Sequence, residues 1–422
     1  MNHYHYKCSQ CNATFSKATI EEKFIYLCPD CGKAEKNRPL EGVLLIEYDY
    51  AAIARKVKAA AILDLKPGSF WDFPWLYPLE YNHKSFTKTV SQSLAKLILN
   101  QHPTLIQKID DRQIYIFDDS RNPTLSFKDR ASTLLALKAK QLGITEIAAA
   151  STGNAGSSLA GICARLGLKS HIFAPAKIPE AKRLQIQAYG ANIYLVDGDY
   201  DQAFDLCLEL AQDKGWYNRN TAYNPLTIEG KKTAAFDIFL SMHGDVPDII
   251  FIPVGDGVII SGIYKGFWEL KQLGWIKQMP KLIAVQSNGS DALVRYLQSR
   301  VFEFRAASSI ADSICAGAPR NLYLAARSVE ETAGEAISVT DEEILSAQKY
   351  ISQKMGILTE PAAAASLAGY FKLRREKFIE KNDRIMLLLT GNGLKDLASL
   401  ECWNRPVESR SIDEWKAYFD IK

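Results

Sequence analysis

Asn122-Pro123-Thr124-Leu125-Ser126-Phe127-Lys128-Asp129-Arg130 is the stretch that decides the fold. Asn-Pro typically opens a turn, because proline disfavours helix at the residue before it. The alanine- and leucine-rich run 131–140 has high helix propensity. Lys128 is therefore predicted to lie where a loop enters a helix, with Phe127 beside it. Charged triplets usually face water, so Lys-Asp-Arg alone indicates no site and its context has to decide.

Composition limits the classes of function. The chain has 422 residues, 47% of them hydrophobic and 23% charged, with a formal net charge of +3. Such a balance gives no overall field for nucleic acid or an anionic membrane. No apolar run reaches the length of a membrane span, and the N-terminus lacks the apolar core of a signal peptide. We expect a cytoplasmic protein of two or three domains that binds neither nucleic acid nor membrane.

Four of the 8 cysteines form a C-x₂-C…C-x₂-C array, Cys8, Cys11, Cys28 and Cys31. Two such pairs can complete a tetrahedral zinc shell. The alternatives are two disulfides or unrelated thiols, and a cytoplasmic location argues against disulfides. Four thiolates leave no ligand position open for water, so the predicted zinc is structural. Few basic residues lie between the pairs, which favours a stabilising or docking role over binding to nucleic acid.

From residue 144 onward the pattern alternates strands and helices, which is typical of a parallel sheet with flanking helices. The predicted strands are Gln113–Phe117, Glu146–Ala150, Ser170–Ala174, Asn192–Val196, Asp248–Pro253, Lys281–Val285 and Arg384–Leu389. The predicted helices between them include Gly156–Leu166, Pro179–Tyr189 and Tyr200–Lys214. Loops then gather at the carboxyl ends of the strands, where α/β proteins bind ligands.

Three of these loops carry candidate binding residues. Ser151-Thr152-Gly153-Asn154 leaves a strand and opens a helix, which suits an anion, although it reads equally well as a plain helix cap. Gly255-Asp256-Gly257-Val258 also follows a strand and opens a helix, and its glycines let backbone amides approach a phosphate. Thr390-Gly391-Asn392-Gly393-Leu394-Lys395-Asp396 ends the last buried strand. Each loop alone is weak evidence.

Together with Asn224–Thr233 and Gly356–Ala362, these motifs resemble threonine synthase and its pyridoxal-phosphate (PLP) dependent relatives of the tryptophan-synthase β type, known as fold type II. The matching motifs run in family order from about residue 120 to residue 396. The resemblance implies two α/β domains with parallel sheets. The expected domains are a zinc ribbon at 1–38, a large PLP-binding domain at 39–131 and 231–422, and a small domain at 132–230. It also implies a homodimer.

The resemblance assigns roles to the motif residues. Lys128 would hold PLP covalently and act as the catalytic base, and Phe127 would contact the cofactor. Ser151, Thr152 and Asn154 would bind the substrate carboxylate, and Asn154 would also contact the PLP hydroxyl. Thr390 would contact the pyridine nitrogen. The PLP phosphate would be bound by the backbone amides of Gly255, Asp256, Gly257 and Val258. Because no cofactor motif lies in residues 1–38, PLP binding is expected to be independent of the ribbon.

The implied activity converts the amino acid O-phospho-L-homoserine and water into L-threonine and phosphate. Another PLP lyase, such as serine/threonine dehydratase or cysteate synthase, and a non-catalytic homologue are the alternatives. The sequence departs from the family at Leu125, where glycine is usual, and at Thr227, where many members carry an arginine for the substrate phosphate. Arg219, Lys231 and Lys232 are the candidate replacements for that charge.

Overall fold

The computed structural model describes residues 4–63, 73–79, 105–109, 112–151 and 153–419, so Thr152 lies outside the described residues. The strands are β1 Tyr4–Cys8, β2 Thr14–Phe15, β3 Leu44–Tyr48, β4 Leu105–Ile109, β5 Arg112–Asp118, β6 Glu146–Ala150, β7 Lys169–Pro175, β8 Asn192–Val196, β9 Tyr217–Asn218, β10 Ile249–Pro253, β11 Lys281–Ser287, β12 Glu335–Val339 and β13 Ile385–Leu389.

The helices are α1 Lys17–Glu21, α2 Tyr50–Lys56, α3 Ala59–Leu63, α4 Asp129–Gln141, α5 Asn154–Leu166, α6 Glu180–Ala188, α7 Tyr200–Lys214, α8 Leu226–Lys231, α9 Thr233–Ser241, α10 Val258–Gln272, α11 Ala292–Ser299, α12 Leu322–Glu331, α13 Asp341–Tyr350, α14 Pro361–Arg375, α15 Leu397–Glu401 and α16 Ile412–Tyr418. Single 3₁₀ turns lie at Pro74–Leu76, Asp119–Arg121, Asp312–Ile314 and Gly393–Lys395, and a π-helical turn follows α13 at Ile351–Met355. No described helix is both long enough and apolar enough to cross a bilayer.

Two parallel sheets organise the main body. The larger sheet has the order β12-β11-β10-β13-β5-β4, parallel except for β4, and the smaller has the order β8-β7-β6-β9. β10 and β13 are buried along their whole length, as expected for central strands covered on both faces. Because β5, β10 and β13 run parallel as neighbours, the loops at their carboxyl ends lie at one edge of the sheet.

The predicted α/β class with flanking helices is confirmed. β6 and β8 have the predicted bounds, and α7 begins and ends at the predicted residues. The other predicted strands and helices differ by one or two residues at their ends. The smaller sheet lies within residues 132–230, while the division into domains stays a prediction.

The ribbon extends further along the chain than expected. β1 pairs with β2 on one side and with β3 on the other, all antiparallel. The predicted boundary at residue 38 therefore falls inside a three-stranded sheet that closes only at Tyr48. The strand expected to leave the ribbon near Leu40–Tyr50 is β3, and it pairs with β1, while the division of the chain into domains stays a prediction.

Candidate active site

An open cleft of about 720 Å³ lies at the carboxyl ends of β6 and β10. It brings together seven of the predicted site residues: Lys128, Ser151, Asn154, Gly255, Asp256, Gly257 and Val258. Other described lining residues include Tyr200, Thr221, Lys231 and the segment 312–316. Phe127 and Thr390 do not line the cleft. Both are buried, Phe127 within the loop that carries Lys128 (residues 122–128, the lysine loop) and Thr390 in the loop after β13.

The lysine loop is attached to the loop after β13. Phe127 N donates to Thr390 O over 2.9 Å, and Asn392 N donates to Leu125 O over 3.1 Å. Asp129 accepts a hydrogen bond from Thr124 N over 2.8 Å. These contacts fix the backbone on both sides of Lys128, so its position does not depend on the side chain itself.

The charged neighbours of Lys128 are structural. Asp129 is fully buried, and Arg130 forms buried ion pairs with Asp119, at 2.5 Å, and Asp237, at 2.7 Å. The solvated interpretation of the Lys-Asp-Arg triplet is therefore wrong. The Nζ of Lys128 forms no hydrogen bond or ion pair with any described residue, although its carbonyl oxygen accepts from Ser132 N at 3.1 Å. Burial lowers the pKa of its amine, Lys182 and Arg219 lower it further, and Glu360 and Asp312 oppose the shift.

The loop after β6 is organised by Ser151. Its hydroxyl accepts hydrogen bonds from Gly153 N at 2.9 Å and Gly156 N at 2.8 Å, which caps α5. Asn154 donates through Nδ2 to Glu360 at 2.8 Å and to Ser313 at 3.0 Å. Its Oδ1 is buried and has no partner among the described residues. An unsatisfied amide oxygen facing a cleft indicates a place for a ligand donor.

The glycine loop after β10 leads directly into α10, so its amides and the helix N-terminus face the same point. Gly257 has φ +85°, a conformation that side chains disfavour. A Cβ atom at Gly255 would lie 2.7 Å from Ile314 Cα, so position 255 has room only for glycine. The Asp256 carboxylate accepts from Arg320 N over 3.2 Å. Burial raises the Asp256 pKa, and Arg320 and Lys231 oppose this.

Two buried basic residues lie near this loop without an ion pair among the described residues, although both interact electrostatically with Asp256. Lys231 is 2% exposed, lines the cleft and forms no ion pair in the described part of the chain. Burial lowers its pKa well below the usual value, and Arg219 and Lys128 add to the shift. Arg219 is fully buried, its Nη1 donates to Thr221 at 3.0 Å, and its Nε and Nη2 have no described partner. Burial lowers the Arg219 pKa to about 10.

Lys232 has a different role. It lies in a buried ionic cluster, 2.6 Å from Glu229 and 2.9 Å from Glu269, and does not line the cleft. Lys265 completes this cluster at 2.8 Å from Glu229. Of the three candidate cations, Lys232 is therefore the one that is not available to a phosphate, because both carboxylates already neutralise it. Thr227 donates its hydroxyl to Asn224 O within the turn that opens α8.

The donors in this cleft fit PLP. The cofactor needs an amine with a depressed pKa, a phosphate seat and polar groups for the ring substituents. The described cleft offers the Lys128 amine, the glycine loop at a helix N-terminus with unpaired cations nearby, and the unsatisfied amide of Asn154. Thr390 is buried, and its carbonyl oxygen accepts a hydrogen bond from Phe127 N. Its assignment to the ring nitrogen stays a prediction.

The four predicted metal ligands lie together at the ribbon tip. The sulfur atoms of Cys8, Cys11, Cys28 and Cys31 lie within 4.8 Å of one another. The Cys8–Cys31 and Cys11–Cys28 Sγ distances are 3.4 and 3.6 Å, and all four are free thiols. The disulfide alternative is therefore wrong for these pairs, since a disulfide bond is about 2 Å long.

This fold and cleft define a PLP-type α/β enzyme, and comparison with known proteins agrees. The model of the family described as "Pyridoxal-phosphate dependent enzyme" matches residues 91–391. Threonine synthase of Methanocaldococcus jannaschii is 36% identical over 395 residues, covering 92% of each chain. Threonine synthase of Methanosarcina acetivorans is 34% identical, covering 93% of this chain and 92% of the relative. The chain belongs to the PLP-dependent enzyme family, in its threonine synthase branch.

Solved structures agree on the fold. A PLP-dependent aspartate racemase has a TM-score of 0.61 at 22% identity, covering 75% of this chain and 97% of the racemase. Maize serine racemase has a TM-score of 0.61 at 18% identity, covering 80% of this chain and 98% of the maize protein. At such identities the likeness supports the shared architecture alone.

Several residues around the cleft had no assigned role in the sequence. Lys182 is fully buried, 2.6 Å from Asp312 and 3.8 Å from Glu360. Burial opposes its charge, but the two carboxylates hold its pKa above the usual value. Glu360 belongs to the motif Gly356–Ala362, so the sequence did contain a signal for this residue. Lys182 lies in no recognised motif, so sequence reasoning missed it.

Proposed function

We propose that this chain converts O-phospho-L-homoserine and water into L-threonine and phosphate. The proposal rests on one cleft that is lined by the Lys128 amine, the glycine loop after β10 and Lys231. Arg219 does not line this cleft, but it is buried close enough to interact electrostatically with both lysines. A cofactor phosphate alone can be held by loop amides and a helix N-terminus. The cations Arg219 and Lys231 add capacity for a second phosphate, and the name of the relatives supports the same reaction.

Lys128 supplies the proton transfers. When bound, PLP withdraws electrons from the substrate and so acidifies its Cα–H bond. The lowered pKa makes the Lys128 amine easier to deprotonate, which suits Nζ to take protons from the substrate Cα and Cβ. The Cγ–O bond breaks and phosphate leaves, and a proton returned to Cγ makes the methyl group. The water oxygen adds at Cβ, its second proton goes to the released phosphate, and the other proton held by Nζ returns to Cα. No histidine lines the described part of the cleft, so lysine is the proton carrier.

The remaining residues orient the substrate. We assign its carboxylate to the loop Ser151–Asn154, whose amides open α5, and its phosphate to Lys231 and Arg219. Neither cation has a carboxylate partner among the described residues, so an incoming phosphate would satisfy donors that are otherwise buried and unpaired. This pair takes the place of the arginine that is usual at position 227. PLP phosphate remains assigned to Gly255–Val258, and Thr390 to the ring nitrogen.

The test is phosphate release from O-phosphohomoserine, compared with O-phosphoserine, and keto-acid formation from serine and threonine. We expect kcat/KM to be highest for O-phosphohomoserine, and Lys128→Ala to abolish turnover. Losing the Lys231 or Arg219 cation should cost about 2–4 kcal/mol of transition-state stabilisation, mainly toward phosphorylated substrates. Efficient deamination of serine or threonine without turnover of O-phosphohomoserine would establish the dehydratase alternative.

For the ribbon we propose a structural zinc ion bound by Cys8, Cys11, Cys28 and Cys31. Zn–S bonds of about 2.3 Å in a tetrahedron place the sulfurs about 3.8 Å apart. The observed 3.4 and 3.6 Å separations need only a small expansion to reach that distance. Metal thiolates also suit a reducing compartment, in line with the expected cytoplasmic location. Metal analysis of protein purified without chelator should give one zinc per chain, and Cys28→Ser should lose it.

A further inference from the structure

Arg320 joins the ribbon to the cofactor loop. Its side chain is 1% exposed, and Nη1 donates to the carbonyl oxygens of Glu35 at 3.3 Å and Arg38 at 3.1 Å. Nη2 forms an ion pair with Asp201 at the start of α7. The guanidinium also lies over the Phe204 ring, 4.5 Å from its centroid. One buried side chain therefore fixes the ribbon segment after Cys31 against the main body.

The backbone of the same residue holds the phosphate loop. Arg320 N donates to the Asp256 carboxylate at 3.2 Å, and Asn321 N donates to Asp256 O at 2.9 Å. Arg320 O accepts from Leu40 N, in the ribbon, at 3.0 Å. The loop residue Gly257 packs against the same segment, since a Cβ there would lie 2.7 Å from Ala325 Cβ. A shift of Arg320 would thus move the loop directly.

The segment Leu40–Val43 connects both cysteine pairs of the ribbon to Arg320. Cys28 N donates to Gly42 O at 2.8 Å, and Ser9 N donates to Val43 O at 3.0 Å. On its other side, Leu40 and Val43 share a buried apolar cluster with Val258, the first residue of α10. The zinc-binding sulfurs and the phosphate seat are therefore linked by continuous backbone hydrogen bonds and packed side chains.

We propose that zinc binding and PLP binding are coupled through Arg320, so that a metal-loaded ribbon holds the Gly255–Val258 loop in its binding conformation. This opposes the sequence-based expectation that PLP binding is independent of the ribbon. Linkage requires the effect to be reciprocal, so PLP strengthens zinc binding by the same factor as zinc strengthens PLP binding. The inference rests on the proposed zinc and PLP sites but not on the substrate.

The test is equilibrium titration of the apoenzyme with PLP, followed by cofactor absorbance, with zinc present or removed by chelator. We expect zinc removal to weaken PLP binding about tenfold, within the usual range of coupling. Competition against a zinc indicator, with and without PLP, should give the same factor. Arg320→Met keeps the backbone contacts and the side-chain volume but loses the guanidinium, so its zinc effect should fall below about threefold.

Glu21→Gln is the matched control, because it removes a different buried ion pair between the ribbon and the main body. Glu21 joins the ribbon to Lys138, 2.8 Å away, and Lys138 lies ten residues along α4 from Lys128. This variant should keep the tenfold zinc effect. Equal PLP affinity with and without zinc in the wild type would overturn the proposal, as would a full zinc effect in Arg320→Met or its loss in Glu21→Gln. If Arg320→Met does not fold, Arg320→Lys replaces it.

A second measurement needs no variant. Amide hydrogen exchange of residues 255–258 in the apoenzyme should slow at least fivefold when zinc is present, whereas exchange in β8, an edge strand of the smaller sheet, should not change. Equal exchange in the loop with and without zinc would contradict the coupling. Because both tests measure binding or exchange, a failed turnover assay on zinc-loaded protein would count against the proposed activity alone.

Discussion

At the scale of single residues, Leu125 is strained. Its φ of +65° is left-handed, and a side chain there costs about 1–2 kcal/mol, a cost that glycine would avoid. Leu125→Gly would remove this strain while losing a half-buried side chain, so we expect stability within about 1 kcal/mol of wild type. Leu125→Ile should lower it by about 1–2 kcal/mol, since branched side chains fit this conformation worst. Chemical denaturation measures both, and equal tolerance of isoleucine and glycine would contradict the left-handed backbone.

Lys231 and Lys232 are adjacent, but removing their charges should change the free energy of unfolding in opposite directions. Lys231 forms no ion pair with the described residues, and burial lowers its pKa more than the charge of Asp256 raises it, so its charge destabilises the apoprotein. We expect Lys231→Met to raise the free energy of unfolding by about 1 kcal/mol while reducing turnover of phosphorylated substrate.

Lys232→Met should instead lower stability by about 3–5 kcal/mol, because it leaves Glu229 and Glu269 with only Lys265 to neutralise them. Denaturation of the apoprotein and kcat/KM of the loaded enzyme separate the two effects. A destabilised Lys231→Met protein would show that Lys231 is a structural residue, and would remove it from the substrate site.

At the scale of elements, Lys395 connects three parts of the active-site region. Its Nζ lies 2.8 Å from Thr124 O in the lysine loop, 2.8 Å from Ser157 Oγ on α5 and 2.9 Å from Gln185 Oε1 on α6. These acceptors are neutral, and burial lowers the Lys395 pKa from 10.5 to about 7. A loop, a helix of the active site and its neighbour are thus joined by a side chain that titrates near neutral pH.

The sign of the pH effect follows from this shift. Between about pH 7 and 10.5 the unfolded chain keeps a proton on Lys395 that the folded chain releases. Stability from this group therefore rises with pH, by up to about 1.4 kcal/mol per unit. The difference in unfolding free energy between wild type and Lys395→Met should grow from pH 7 to pH 9.5. Denaturation at several pH values measures it, and a constant difference would mean that Lys395 stays charged.

At the scale of the whole molecule, local patterns predicted elements well and distant contacts poorly. The apolar run of β6 indicated its bounds correctly, because burial on both faces leaves a continuous signal. The sequence could not tell whether Lys231 or Lys232 faces the cleft, since successive helical residues differ by about 100° and both had candidate roles. Arg320 was missed because its partners, Glu35 and Arg38, are backbone carbonyls 285 and 282 positions away, which leave no local pattern.

The ribbon and the main body should unfold together. One apolar cluster includes Tyr4 and Ile46 of the ribbon with Leu134 and Phe236 of the body, and Tyr48 donates to the buried Glu229 at 2.7 Å. A ribbon melting alone would expose this shared surface, so the two parts are predicted to form one cooperative unit. Stripping zinc should then lower a single thermal midpoint by about 5 °C or more.

The measurement is zinc release to an indicator during heating, compared with far-ultraviolet ellipticity of the same sample. Coincident curves are expected, because the metal site cannot open without breaking contacts that the body needs. Glu21→Gln should lower both curves together, since it weakens the ion pair with Lys138 that crosses the interface at 2.8 Å. Zinc release well below the ellipticity midpoint would show instead that the ribbon opens on a folded body, and the shared cluster would then contribute little to cooperativity.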